Sequence, residues 1–368
     1  MGEACAGGDG EHLVSNPGCL YIESLGSIWG RRNGCHVLTR CGGCMSAQYT
    51  IGDGIEIVEA FVARHAGLVG ASGVLAIGFG LRDDPAKPVI VVTAGSEYGY
   101  ETARLIAPSS FHGFDVWIEC DVFAPAGMRL DGLRRVVGMT PKHSWPCWPG
   151  AWLISSGRNR AGTLGCYVRD SNASGRKTYA ITCEHVILSR NPARQGTAVR
   201  SYVRTPRLRE SALGVVSARP IAVGVSHLDI GVVDVAERLG INVIPRIGRV
   251  ATAAIPLTQV RLGTAVAKYG AASKLTVGQI TAVQVMDGNG SLVPAGFVAE
   301  VTPLWDGEEN RYTSFCSSGD SGSLVTSRPI DGGPVIALGI LARRSTLLDR
   351  GHMIGIHEFL TATGLDLC

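Results

Sequence analysis

Along most of this chain apolar and polar residues alternate with the period of a strand, and only one stretch breaks clearly into helical spacing. That stretch is residues 54–67, "GIEIVEAFVARHAG", where Ile55, Val58, Phe61 and Val62 share a face and a glycine closes the run. Two strand-like runs follow, "GVLAIGFGLR" and "KPVIVVTAG", separated by the turn-forming "DDPAK". After "YETARLIAP" comes a further strand, "DVWIECDVF". One helix with three or four strands predicts a small α/β unit over residues 49–137. Residues 138–154, rich in proline and tryptophan, read as a connector.

From residue 155 the pattern is almost entirely β. "GTLGCYVRD", "KTYAITCEHV", "SALGVVSA", "LDIGVVDV", "KLTVGQITAVQV", "AGFVAEV", "GSLVTS", "PVIALGILAR" and "HMIGIHEFL" follow at short intervals. "DGNG" and "DGGP" are hairpin turns. So many short strands predict a barrel or sandwich over residues 155–368, which hides its sheet edges by closure. Residues 1–48 lack periodicity and read as an irregular Cys- and Gly-rich extension.

Composition agrees with this picture. Of 368 residues 45% are apolar and 18% charged, a globular balance, and 49 glycines suit tight turns between strands. A net charge of +3 without a long basic run argues against a nucleic-acid partner. No segment has the ~18 apolar residues of a membrane helix, and the N-terminus lacks the basic start and apolar core of a secretory signal. The expected setting is therefore cytoplasmic, with no membrane partner. In a reducing compartment most of the eleven cysteines are small apolar residues. Cys35, Cys41 and Cys44 cluster beside His36, but only one CxxC is present, so they are read as thiols rather than metal ligands.

The chemistry concentrates near the C-terminal end, in "SFCSSGDSGSLV". A serine nucleophile needs a base, a group to orient that base, and donors for the oxyanion. The glycines flanking Ser321 allow the N–H groups of Gly319 and Ser321 to turn toward one point. A base is available at His185, where a strand pattern ends. Asp229, at the entrance of an apolar strand, needs a partner there. Asp234, at the other end of that strand, competes for the same role.

The order and spacing of these residues carry more than any one of them. His185 precedes Asp229 by 44 positions, and Asp229 precedes Ser321 by 92. Thr182-Cys183-Glu184-His185, Asp229-Ile230-Gly231-Val232 and Gly319-Asp320-Ser321-Gly322 together resemble the chymotrypsin-like (trypsin-fold) serine proteases, nearest to bacterial and fungal-type members. "VAKYGAASKLTVGQITAV" resembles a strand pair of the same members. The resemblance covers about 150–368. It implies a mainly β, double six-stranded β-barrel, here preceded by the small α/β domain, and a serine endopeptidase acting on a protein or peptide substrate. His185, Asp229 and Ser321 would then be catalytic, with Gly319 and Ser321 as oxyanion donors. No cofactor or metal is implied.

The resemblance also sets Phe315, Ala342 and Arg344 at the specificity pocket. Phe315 at its floor does not support a preference for Lys or Arg, and leaves small, apolar or acidic side chains open. Two other outcomes are compatible with the motifs: a catalytically silent binding module, or a self-processing enzyme cut within residues 136–155. The α/β unit is expected to contact the protease domain or a partner. How Asp320 is satisfied is not evident from the sequence.

Overall fold

The computed structural model describes residues 49–69, 71–84, 87–125, 128–129, 148–155, 160–170, 177–187, 198–204, 208–216, 229–235, 240–287, 292–306, 311–312, 314–328 and 333–368. The N-terminal extension with Cys35, Cys41 and Cys44 lies outside these residues, as do residues 138–147 of the connector and residues 288–290 of the expected "DGNG" turn.

Helix α1 (Ile51–Arg64) starts at a capping box, with Thr50 and Asp53 satisfying each other's backbone N–H groups. It buries Ile51, Gly54, Val58 and Phe61, and the expected Ile55 and Val62 lie half-buried against the same cluster. The face centres on Gly54, where a Cβ would stand 2.7 Å from Val283. The helix therefore lies close against the sheet on its glycine side.

The next elements are β1 (Val74–Gly80), β2 (Val89–Ala94), α2 (Glu97–Ile106), β3 (Phe114–Cys120), β4 (Phe123–Pro125) and β5 (Met128–Arg129). A first sheet follows, made from β6 (Trp152–Ser155), β7 (Arg160–Thr163), β8 (Cys166–Asp170), β9 (Thr178–Thr182), β10 (Ala198–Arg204), β11 (Leu208–Val216) and β12 (Gly231–Val235). Its order is β8-β9-β12-β11-β10-β6-β7, with β5 added beyond β7 and the C-terminal strand Leu365–Leu367 beyond β8. It curls without closing among the described residues.

The second sheet does close. Strands β13 (Ala265–Gly270), β14 (Lys274–Asp287), β15 (Leu292–Pro303), β16 (Leu324–Ser327), β17 (Val335–Ser345) and β18 (Gly351–Gly355) pair in the circular order β13-β14-β15-β18-β17-β16. Closure leaves this barrel no free ladder edge within the circle. The architecture is thus mainly β, with a closed six-stranded barrel beside a curled sheet, of the two-barrel trypsin-like kind.

The α/β unit joins this barrel strand to strand. β14 is long enough to serve two neighbours. Its first half pairs with β13, and its second half pairs with β1, Ala76 opposite Met286 through Gly80 opposite Ala282. One apolar cluster accordingly runs from Ile51, Val58 and Phe61 of α1 through Phe79 and Val283 to Phe315, Leu341 and Met353 inside the barrel.

Four charges, Glu300 buried and the other three partly buried, reinforce the join. Glu119 of β3 and Glu300 of β15 each bind both Arg82 and Arg350. Burial alone would raise the Glu300 carboxyl, but the two guanidiniums outweigh it and hold the group down at about 2. Finally, β4 lies antiparallel on β17, with Phe123 opposite Ser345, Ala124 opposite Arg344 and Pro125 opposite Arg343. No described helix is long and apolar enough to cross a membrane.

Candidate active site

β9 and β12 are adjacent, with Thr182 opposite Gly231. The residues just beyond this shared end are therefore neighbours. The chain leaves β9 at Cys183 and makes one helical turn, Glu184–Ile187, while Asp229 sits two residues before β12. Asp229 binds His185 twice. Its Oδ1 accepts the His185 backbone N–H at 2.9 Å, and its Oδ2 lies 2.5 Å from His185 Nδ1. The backbone bond fixes where the imidazole starts, and the side-chain bond fixes how it turns. A carboxylate facing Nδ1 puts the ring proton there and leaves Nε2 as an acceptor.

His185 Nε2 is 2.9 Å from Ser321 Oγ. The hydroxyl also lies 3.2 Å from the carbonyl of Ala342 on β17, and its single proton serves one of the two. Asp234, the alternative acid, instead pairs with Lys177 at 3.0 Å on the outer part of the sheet. The structure thus brings His185, Asp229 and Ser321 into one hydrogen-bonded line and leaves Asp234 out of it.

The serine loop needs two left-handed residues, and both are glycine: Gly319 at φ 109° and Gly322 at φ 94°. A side chain at 319 would also meet the Trp152 ring at 2.5 Å. Thr163, the last residue of β7, ties the loop to the first sheet. Its N–H donates to Ser321 O at 2.7 Å and its Oγ1 to Gly319 O at 2.8 Å. On the barrel side, Gly322 N–H donates to Leu341 O at 2.8 Å. Among the described residues no protein acceptor meets the N–H of Gly319 or Ser321.

Asp320, between them, is wholly buried and paired with Lys268 Nζ at 3.0 Å. It also accepts N–H bonds from Ala272, Ser273 and Ser317. Burial pushes its carboxyl up, but Lys268 and these donors outweigh that and hold it below the usual range. Lys268 is the site residue that sequence reading missed. Its only trace was a lysine inside the apolar strand "AVAKYG".

The three pocket residues are placed differently. Phe315 is fully buried, its ring between Gly278 and Gly351, where a Cβ on either glycine would meet it at 2.8 Å. Ala342 is buried beside Ser321. Arg344 pairs with Ala124 of β4, and its Nε is buried with no partner among the described residues. Potential metal-ligand atoms of Cys183, His185 and Asp229 lie within 4.8 Å of one another. Burial keeps the Cys183 thiol protonated, and it donates to Leu341 O at 3.2 Å, so its chemistry does not suit a metal ligand.

No protein-family model and no curated protein matches the chain. Among solved structures it is similar to a chymotrypsin from Cellulomonas bogoriensis, at 17% identity and a TM-score of 0.34, over 61% of this chain and 99% of that one. It is similar to a glutamic-acid-specific serine protease at 16% identity and 0.36, over 60% and 100%. Thermobifida fusca protease A follows at 16% and 0.34, over 61% and 98%. These TM-scores are low, and the fold rests here on the strand order described above.

Proposed function

We propose that this chain is a serine endopeptidase. One observation carries the reading: the continuous line Asp229–His185–Ser321, beside two N–H groups that meet no protein acceptor among the described residues. In this reading His185 Nε2 takes the Ser321 proton as Oγ attacks a peptide carbonyl, and Asp229 stabilises the imidazolium that forms. The N–H groups of Gly319 and Ser321 meet the oxyanion. His185 then protonates the leaving amine, and water cleaves the acyl ester by the same route in reverse. Lys268 acts as a positioning residue, holding Asp320 and so the loop.

The test is a fluorophosphonate probe at pH 8, applied to the wild-type chain and to Phe123→Ser/Ala124→Pro, which loosens β4 from β17. Labelling at Ser321 that disappears in Ser321→Ala is the expected result. Folded protein that takes no label in either background overturns the reading.

A further inference from the structure

β17 passes Ser321 and runs on into two arginines. The Ala342 carbonyl is 3.2 Å from Ser321 Oγ, and Arg343 and Arg344 follow it in the chain. The ladder with β18 sends these two in different directions. Leu341 is opposite Met353, Arg343 opposite His352 and Arg344 opposite Gly351, so β17 takes two steps to one of β18 between Leu341 and Arg343. A bulge of this kind re-aims the side chains beside it. Residues opposite one another on paired strands share a face. Arg343 thus lies on the face of buried His352, and Arg344 on the face of Gly351. The Gly351 face carries the segment that leads to Ser321. A Cβ on Gly351 would meet the Phe315 ring at 2.8 Å, and the Cys316 thiol donates to the Arg350 carbonyl at 3.7 Å. Arg344 is near enough to act on that thiol. Burial pushes the Cys316 thiol up to about 12 with help from Asp320 and Asp349, while Lys268 and Arg344 oppose them.

The Arg344 guanidinium has no answering group. Its Nε is buried without a hydrogen-bond partner, and no carboxylate pairs with it among the described residues. Arg82 and Arg350, by contrast, each hold two glutamates. The two acids that act on Cys316 are engaged elsewhere, Asp320 with Lys268 and Asp349 with the Ser314 hydroxyl. Ala124, opposite Arg344 on β4, brings only a methyl. A buried N–H without a partner costs free energy that an incoming acceptor recovers. Arg344 as a whole is only partly buried, so such an acceptor has access. A guanidinium fork matches a carboxylate through two parallel N–H bonds. Two steps along a strand, from Ala342 to Arg344, cover at most about 7 Å. An acidic side chain and an arginine bridge that gap from its two ends.

We propose that Arg344 sets the specificity of this site, taking the carboxylate of an aspartate or glutamate whose own carbonyl Ser321 attacks. The proposal rests on the peptidase reading above and names its substrate class. The acidic side chain lies on the face shared by Arg344 and Gly351, and its carboxylate accepts N–H bonds from the guanidinium. The corresponding amide fills the same space but brings no charge and only one acceptor oxygen, and this difference supplies the discrimination. β4 lies along residues 343–345 of the same strand, so a substrate extended along β17 has to displace it.

The test uses acetylated peptide aminocoumarin amides that differ only in the last residue, Glu, Gln, Asp, Asn, Leu or Lys, at pH 8. Full-length wild type and Phe123→Ser/Ala124→Pro are assayed with Arg344 intact, as Arg344→Met and as Arg344→Lys, with fluorophosphonate labelling in parallel. The ratio of kcat/KM for acid over amide within one sample cancels its active fraction, so a poorly folding variant still reports. The expected ratio is about tenfold or more, the scale of a charge-assisted hydrogen bond. It falls toward one in Arg344→Met and is partly kept in Arg344→Lys. Protein that prefers an amide, Leu or Lys overturns the proposal and leaves the peptidase standing. So does a ratio that Arg344→Met leaves unchanged, since Arg344 then only packs. Protein that takes the label yet cleaves none of the peptides also overturns it. No label and no cleavage in any background removes both readings.

Discussion

The Lys268–Asp320 pair is wholly buried and the Arg82–Glu119–Glu300–Arg350 cluster is buried at Glu300 and partly buried elsewhere, and the two are wired differently. Asp320 has one cationic partner, and its other bonds come from backbone N–H groups of nearby turns. Each glutamate of the cluster has two arginines, and each arginine two glutamates. The first arrangement sets one loop at one place. The second fastens the α/β unit to the barrel and shares each charge between two partners. A buried charge with a single partner is left uncompensated by one substitution, while a shared one is not.

The largest effect is therefore expected at the pair. Lys268→Met should cost about 3–5 kcal/mol in urea unfolding, the usual result of stranding one buried charge. It should also sharply reduce probe labelling of Ser321, because the loop loses its anchor. Lys268→Met/Asp320→Asn should regain much of the stability without regaining the labelling. A double variant that regains both would show that Lys268 only balances charge and does not position the loop.

At the cluster, Glu300→Gln should cost less, about 1–3 kcal/mol, since Glu119 still faces both arginines and the amide keeps hydrogen-bonding capacity. The change should surface as faster amide exchange over residues 74–80, where β1 meets β14, with Ser321 labelling kept. Equal loss at the cluster and at the pair would erase the distinction between shared and single partners.

The two regions also differed in how far they could be read from sequence. The hydrogen-bonded line Asp229–His185–Ser321 was legible because each member sits in a short motif whose local geometry is set by neighbouring residues, such as the glycines around Ser321. The strand content of the barrel was legible from the two-residue period. Lys268 was not, because nothing local says that a lysine inside an apolar strand faces an aspartate 52 residues away. The way the α/β unit joins the barrel was not legible, because strand pattern does not say which edge a strand will join. β1 pairs with β14 some two hundred residues later, and β4 with β17. The α1 face was read from its large residues, while the packing turned on Gly54, which offers no hydropathic signal.

His352 gives the smallest effect and tests where the cluster's influence ends. The residue is fully buried on β18, between Glu300 and Arg343 on the neighbouring strands, under the Phe123 ring. Neither ring nitrogen has a hydrogen-bond partner among the described residues. Burial lowers its basicity, Glu300 opposes that, and Arg350, Arg343 and Arg82 add to it, leaving the group at about 4. Between pH 6.5 and 4 the unfolded chain therefore binds the proton and the folded chain does not. Stability from this residue is present above pH 6.5 and is lost as the pH falls toward 4. In urea unfolding at pH 7 and 4.5, wild type should lose on the order of 2 kcal/mol through this residue. His352→Leu should lack that loss and keep the separate decline from Glu300, which begins below about pH 4.5 as the unfolded carboxylate takes up its proton. An unchanged pH dependence in His352→Leu would mean that His352 is protonated in the folded chain, with Glu300 as its counter-ion and the cluster one member larger.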